Sequence, residues 1–428
     1  MKTERILVTD AETRGSLAMA RGLHKAGFQV TAAAAASARP VPGHWSRAVH
    51  ERFLVPAPLE DEAGFLDAVE RVLSGGGYSV LVPGSDASLL AISRGRHRLK
   101  SHVRARLPPH DLVERSLDKL ALVSAASRNG LDAPFTIVCR GKAEAVSAAG
   151  GIGFPVMVKP VRSVFEVDGS LRRIGAGLVR DSRALERALV AYGGSCLVQR
   201  RESGAVLSFA GVFAEGRMLG KALSRYSRTW RPDAGGASFS QTIEAPLWLE
   251  ERVRSLLEDV GWEGLFELEL IERGDGGYAA IDLNPRPYGS LALAIGAGAN
   301  LPAIWCEYLL GRDPGRVRAR PEVLYRCEDA DISHALWQAR HGRLAAAALT
   351  LRVRRGVVHS YFEPGDPGPL LARLLFLAAR HLSPIRCLAR GLWPRRSGWR
   401  CSARVARTGA CRRSSHRRRP KERASAIA

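Results

Sequence analysis

Residues 263–286 read EGLFELELIERGDGGYAAIDLNPR, two apolar-rich segments around a glycine turn. The pattern predicts strands over 265–271 and 278–283, joined through Gly274-Asp275-Gly276-Gly277. Side chains alternate across a strand, so Glu267 and Glu269 share one face, and Asp282 and Asn284 share one face of the partner. A hairpin that sets Glu269 against Asp282 and Asn284 gathers three oxygen donors, with Arg286 just beyond them. Hard Mg2+ takes such oxygens, and nucleotide phosphates usually complete its shell. The competing reading, a hairpin with a solvated acidic face, leaves the Asn-Pro-Arg exit unexplained, since that exit is unusual for a plain edge strand.

The chain around this hairpin has 428 residues, enough for two or three domains with substantial cores. At 46% hydrophobic and 25% charged it has the composition of a soluble globular protein. Met1-Lys2-Thr3-Glu4-Arg5 leads straight into a short strand with no apolar signal core, so the expected location is cytoplasmic. One uncharged run, residues 287–306, reaches membrane-spanning length. Its Gly289, Gly296, Gly298, Asn300 and Pro302 point instead to a buried helix and its loop. The seven cysteines include no Cys-x-x-Cys and no clustered histidine, and read as reduced thiols, not as a disulfide framework or a zinc site. Of the net charge of +22, residues 386–428 carry +13, from fourteen Lys and Arg against one acid. The basicity therefore belongs mostly to a tail and says little about the chemistry of the folded part.

The N-terminal region alternates strand and helix: strand 5–9, polar turn 10–16, helix 17–26, strand 28–33, helix 65–73 and strand 79–82. Such alternation predicts a parallel, doubly wound α/β domain. Asp86 follows the turn Pro83-Gly84-Ser85 and is placed to cap the next helix. The first turn has only Gly15 where a dinucleotide fingerprint needs three glycines, so dinucleotide binding is weakly supported. Further on, a helix over 117–129 carries Asp118-Lys119 in its first turn, and strands are expected at 135–139 and at Val156-Met157-Val158-Lys159-Pro160. Residues 162–177 form a polar, glycine-containing segment able to fold over a ligand. A helix over 182–192, a strand over 195–199, antiparallel strands near 206–214 and 217–223, and a helix over 249–260 lead into the acidic hairpin. Beyond 311 the signal weakens: strands within 351–361 and an apolar helix over 369–382 are expected. Residues 394–428 lack apolar periodicity and read as disordered.

Asp118-Lys119, the VMVKP strand, Cys196 to Glu202, Glu269 and Asp282-Leu283-Asn284-Pro285-Arg286, in this order and spacing, resemble the ATP-grasp superfamily, which includes biotin carboxylase and D-alanine–D-alanine ligase. The resemblance spans about residues 5–310, and the hairpin and lysine strand are its specific parts. It implies an α/β chain with an α+β ligase core: a parallel pre-ATP-grasp domain over 1–112, a two-lobed ATP-grasp domain over 113–310, a C-terminal extension over 311–393 and the basic tail over 394–428. It also implies ATP and Mg2+ as cofactors, with Mn2+ as an alternative. In that frame Lys119 and Lys159 hold nucleotide phosphates from opposite sides, work suited to a mobile point charge. The strand 196–200 reads the adenine edge, with Gln199 facing the amino group and Glu202 the ribose hydroxyls. Glu269, Asp282 and Asn284 hold the metal, Arg286 stabilises the transferred phosphoryl group, and Glu267 sits on the same strand face one step outside.

Three departures bear on the acceptor. The lid region reads RSVFEVDGSLRRIGAG in place of a glycine run, Asp282 stands where a glutamate is usual, and Ser240-Gln241-Thr242 replaces a basic phosphate contact, leaving Arg225, Arg228 or Arg231 for that duty. The implied chemistry is phosphorylation of a small-molecule carboxylate to an acylphosphate, then attack by an amine or similar nucleophile. Two alternatives stand beside it. One is a non-catalytic ATP-binding regulatory protein on the same fold. The other is a nucleic-acid or membrane-surface binder through the basic tail, with no firm nucleic-acid partner and at most weak contact with anionic membranes.

Overall fold

The computed structural model describes residues 3–391 apart from 168–169, 193–194 and 232–233. All of its sheets lie in one compact unit, Met1–Ala379; the second unit, Arg380–Ala428, is described only through the end of the helix Gly368–Gly391. The tail over 394–428, with its expected disorder and surface contacts, lies outside the described residues.

The N-terminal strands form a parallel sheet in the order Glu51–Val55, Gln29–Ala35, Arg5–Val8, Tyr78–Val82. Helices cover both faces, which is why the strands read as unbroken apolar runs. Ile6 and Val8 pack with Met19 and Leu23 of the helix Arg14–Lys25, while Leu7 packs with Phe65 and Val69 of the helix Glu62–Ser74. Thr13 caps the first helix, its hydroxyl accepting from Ser16 N at 3.1 Å. At the end of the fourth strand the expected cap is corrected. Ser85, not Asp86, caps the helix Asp86–Arg94, in a reciprocal pair with Ser88. Asp86 begins the helix, is 5% exposed, and is released from capping for another partner.

Two antiparallel sheets follow. The smaller runs Thr136–Cys139, Cys196–Arg200, Val156–Lys159, Gly177–Val179, and buries one face against the helices Lys142–Ile152 and Ser182–Tyr192. The larger runs Tyr278–Asn284, Gly264–Glu272, Ala205–Ala214, Arg217–Arg231, Ala234–Ile243, Leu324–Arg326, Val357–His359, with Val317–Arg318 beside Arg217–Arg231. It thus continues past residue 310 into the C-terminal segment. Phe266, Leu268 and Leu270 alternate into the core under Glu267 and Glu269. They meet Leu249, Val253, Leu256 and Leu257 of the helix Leu247–Val260, apolar positions on one helical stripe, which Gly261 ends at φ 80°. Each such buried aliphatic side chain is worth roughly 1.5–3 kcal/mol. This packing makes the acidic face of the hairpin a rigid floor.

Two expectations are refined. The uncharged run over 287–306 holds two short helices, Leu291–Gly296 and Leu301–Leu309, separated at Gly298 (φ 97°) and capped by Asn300. No helix among the described residues is long and apolar enough to cross a membrane. The polar segment over 162–177 contains an antiparallel pair, Val164–Val167 and Ser170–Arg173.

Candidate active site

The strands Gly264–Glu272 and Tyr278–Asn284 pair with Glu269 opposite Asp282, as the sequence predicts, and with Glu267 opposite Asn284. The ladder then shifts between Glu269 and Leu270, leaving Ile281 without a partner. Its carbonyl accepts from Lys159 Nζ at 3.0 Å. The bulge therefore fixes the end of a lysine that arrives from the smaller sheet.

Lys119 comes from a third element. Asp118 caps the helix Lys119–Arg128 by accepting from Leu120 N at 2.8 Å, and Lys119 N bonds Val161 O at 3.0 Å. With its backbone held at both ends, the Lys119 ammonium donates to Asp282 Oδ1. Both lysines are nearly buried, at 8% and 7% exposure. Arg286 stands past the strand end: Nε donates to Asp86 Oδ1 at 2.5 Å, Nη2 to Asn284 Oδ1 at 3.0 Å and Nη1 to Pro287 O at 3.1 Å. Gly15 abuts the same segment, where a Cβ would lie 2.9 Å from the carbonyl oxygens of Pro287 and Tyr288.

Glu267 belongs inside the cluster, a correction to its expected place one step outside. It accepts from Ser208 Oγ at 2.6 Å and from Asn284 Nδ2 at 3.1 Å. Tyr226 donates to Glu269 Oε1 at 3.0 Å, with Glu267 Oε1 3.4 Å away. Burial, then repulsion from Glu267 and Asp282, pushes Glu269 up to about 8. Burial raises Glu267 too, against the pull of Ser208 and Arg286. Lys159 falls to about 8 through burial, with Asp282 opposing and Lys119 adding to the fall. Burial also works against charge on Lys119, yet Asp282 leaves its pKa above the ordinary lysine value. Asp86, although buried, is held below the usual carboxylate range by Arg286.

This electrostatic balance fits a hard cation. Two carboxylates and an amide oxygen share one face, and Glu269 lacks enough nearby positive charge to ionise readily. Among the described residues, no ready-made group of three His, Cys, Asp or Glu surrounds a metal position. In this arrangement the Lys119 ammonium occupies one oxygen of Asp282, and Arg286 occupies Asn284 Oδ1.

The structure brings together Lys119, Lys159, Glu269, Asp282, Asn284 and Arg286. Gln199 lies on the Lys159 face of the smaller sheet, in the register Leu197 opposite Lys159 and Gln199 opposite Met157. It is 3% exposed, and its amide donates to Thr136 Oγ1 at 2.8 Å. Glu202 is half-buried in the connection to the larger sheet, where its charge acts on Arg273 of the hairpin turn. No bond joins it to the carboxylate cluster among the described residues. The basic substitutes also resolve. Arg225 pairs with Glu272 at 2.5 Å and Arg228 with Asp331 at 2.6 Å, and the side chain of Arg231 lies outside the described residues. Tyr226, between the two arginines, is the residue that reaches the site. Sequence reasoning missed it together with Ser208 and Asp86. Asp86 did carry a signal: it follows the C-terminal end of a parallel strand, where α/β folds place functional groups.

No family model and no curated protein sequence matches the chain. Solved structures do match in fold. An L-amino acid ligase from Bacillus licheniformis is 18% identical over 72% of this chain and 75% of its own, with a TM-score of 0.55. An N5-carboxyaminoimidazole synthetase from Staphylococcus aureus, complexed with ADP, is 14% identical over 74% and 80%, at 0.57. A biotin carboxylase from Campylobacter jejuni, in a β,γ-ATP complex, is 14% identical over 72% and 71%, at 0.55.

Proposed function

We propose that this chain, which has the ATP-grasp fold, is a Mg2+-dependent ATP ligase that activates a carboxylate and joins it to an amine or similar nucleophile. The observation that carries the reading is the convergence of Lys119 and Lys159, from two separate segments, on the acidic hairpin and the Arg286 at its exit. Solved structures of the same fold include enzymes named as ligases and carboxylases, some holding ADP or an ATP analogue.

Each side chain has a task in that reaction. Glu269, Asp282 and Asn284 would hold Mg2+, which supplies charge neutralisation on the phosphate oxygens. Lys119 would exchange Asp282 for a phosphate oxygen, and Lys159 would donate to phosphate from the smaller sheet while its ammonium also donates to Ile281 O. Arg286, held by Asp86 and Asn284, would stabilise negative charge where the γ-phosphoryl group meets the substrate carboxylate. Tyr226 and Ser208 fix the two glutamates and so set the direction of their free oxygens. Lys119, Lys159 and Glu267 are buried while Glu269, Asp282 and Asn284 are partly exposed, so a bound nucleotide would have to complete the exclusion of water from an acylphosphate that would otherwise hydrolyse.

The test is Mg-ATP consumption screened against a panel of carboxylates and amines, with the product identified by mass. Turnover that needs one carboxylate and one nucleophile and disappears in Glu269→Gln supports the reading. Nucleotide binding without any acceptor-dependent phosphate release across the panel would favour a regulatory ATP-binding protein.

A further inference from the structure

A cavity of about 520 Å³ opens beside the site but apart from its carboxylates. Its walls come from the end of the strand Tyr78–Val82, the linker at 106–109, the helices His110–Ser116, Leu247–Val260 and Leu301–Leu309, and the segment Pro285-Arg286-Pro287. Glu267, Glu269, Asp282 and Asn284 do not line it. The volume lies within the range that holds small organic ligands, roughly 300–1,000 Å³.

Three observations define what fits. First, the surface is apolar and aromatic, with Leu89, Leu112, Phe213, Trp262, Trp305 and Leu309 among its lining residues. Second, the charges at its edge are already matched. Arg106 pairs with Glu263 at 2.6 Å, Glu258 with Arg254 at 2.8 Å and Arg286 with Asp86 at 2.5 Å, so each charged lining residue already has an ionic partner within the protein. Third, Pro83, Pro108, Pro109, Pro285 and Pro287 are among the lining residues, and their fixed φ angles restrict the backbone of the wall.

From these we infer that the cavity is a binding site for a neutral, largely apolar small molecule with an aromatic or branched hydrocarbon body. The occupant lies against the segment Pro285-Arg286-Pro287, in a space that the carboxylates of the hairpin do not line. The inference is independent of the ligase reading, and its test requires no turnover.

The probe is N-phenyl-1-naphthylamine, a neutral aromatic amine whose fluorescence rises in apolar surroundings, compared with its charged relative 8-anilinonaphthalene-1-sulfonate. The wild-type protein should bind the neutral probe saturably and more tightly than the sulfonate. Leu112→Trp and Leu309→Trp fill the cavity from two different helices, so failure of one variant to fold leaves the other available. Each folded variant should bind the probe roughly ten-fold more weakly or worse, since added bulk in a packed space is not accommodated without displacement. Affinity for Mg-ATP, read by calorimetry, should stay within about two-fold, because neither side chain touches the carboxylate cluster. Absence of saturable binding in the wild type, unchanged binding in both filled variants, or preference for the sulfonate would overturn the inference.

Discussion

Replacing Lys159 with methionine separates a binding role from a structural one. Met keeps the length of the stem, so the apolar packing of the strand Val156–Lys159 is largely preserved. In the absence of nucleotide, the ammonium is 7% exposed and has Ile281 O as its hydrogen-bond partner at 3.0 Å. Burial brings its pKa from 10.5 to about 8, so below pH 8 the folded state carries a charged lysine at a cost that the unfolded state does not bear. That cost is complete at neutral pH and is relieved only as pH climbs from about 8 toward 10.5. A shift of this size corresponds to about 3 kcal/mol, from which loss of the Ile281 bond subtracts about 1 kcal/mol. The apo variant should therefore be more stable than wild type at pH 7, by about 2 kcal/mol. Mg-ATP binding should move the other way. A charge-assisted contact with phosphate contributes roughly 1.5–3 kcal/mol, so the dissociation constant should rise about ten- to 150-fold. Urea denaturation of the apo protein and calorimetric titration with Mg-ATP read the two effects separately. Unchanged ATP affinity would refute the assignment of Lys159 to the nucleotide, whatever happened to stability.

Three further outcomes are expected. Glu269→Gln and Asp282→Asn should reduce kcat far more than nucleotide affinity, because the metal they hold acts mainly on charge that develops in the transition state; once a substrate is known, near-normal kcat in both variants would move the metal elsewhere. Asp86→Ala leaves Arg286 without its buried carboxylate partner, and should lower stability by about 3–5 kcal/mol and depress kcat as Arg286 loses its orientation; a thermal transition equal to wild type would show that the pair contributes little. Glu12→Gln should stabilise the protein at pH 8 but hardly at pH 4, since burial and Asp10 raise Glu12 from 4.5 to about 7 and the cost of ionising it in the folded state develops between those values. The gain above pH 7 is at most about 3 kcal/mol, and an equal gain at both pH values in urea titrations would mean that Glu12 is not the source.

The legible parts of the chain were those where one periodicity governed. Alternation in FELEL and AAIDLN set the hairpin faces and the placing of Glu269 against Asp282, because one face had to be buried under the helix Leu247–Val260. The strand Glu51–Val55 escaped notice because it lies at the sheet edge, where Phe53 and Leu54 are about as exposed as Glu51 and Arg52 and no alternation develops. The helix Lys142–Ile152 is rich in alanine and glycine and buries little beyond Ala145, Ala148 and Ala149, so its apolar stripe is faint. In the site, the six charged or amide residues around the hairpin could be named because their residue types state their chemistry. Tyr226, Ser208 and Asp86 could not: each acts by orienting another residue far away in sequence, 200 positions in the case of Asp86 and Arg286. The bulge at Ile281 is likewise invisible, since nothing in AAIDLN marks which residue leaves the ladder.

The larger sheet carries a practical warning for anyone trimming this protein. Leu324–Arg326 pairs along Ala234–Ile243, and Val357–His359 lies outside it. A chain stopped near residue 310 would retain every residue proposed to bind nucleotide and metal, yet it would uncover backbone donors and acceptors of Ala234–Ile243 between Ser238 and Thr242. An uncovered strand edge of this kind is a template for pairing with another molecule. Such a fragment should form insoluble aggregates or intermolecular sheets before its catalysis could be judged, and its inactivity would be a failure of solubility mistaken for a failure of chemistry.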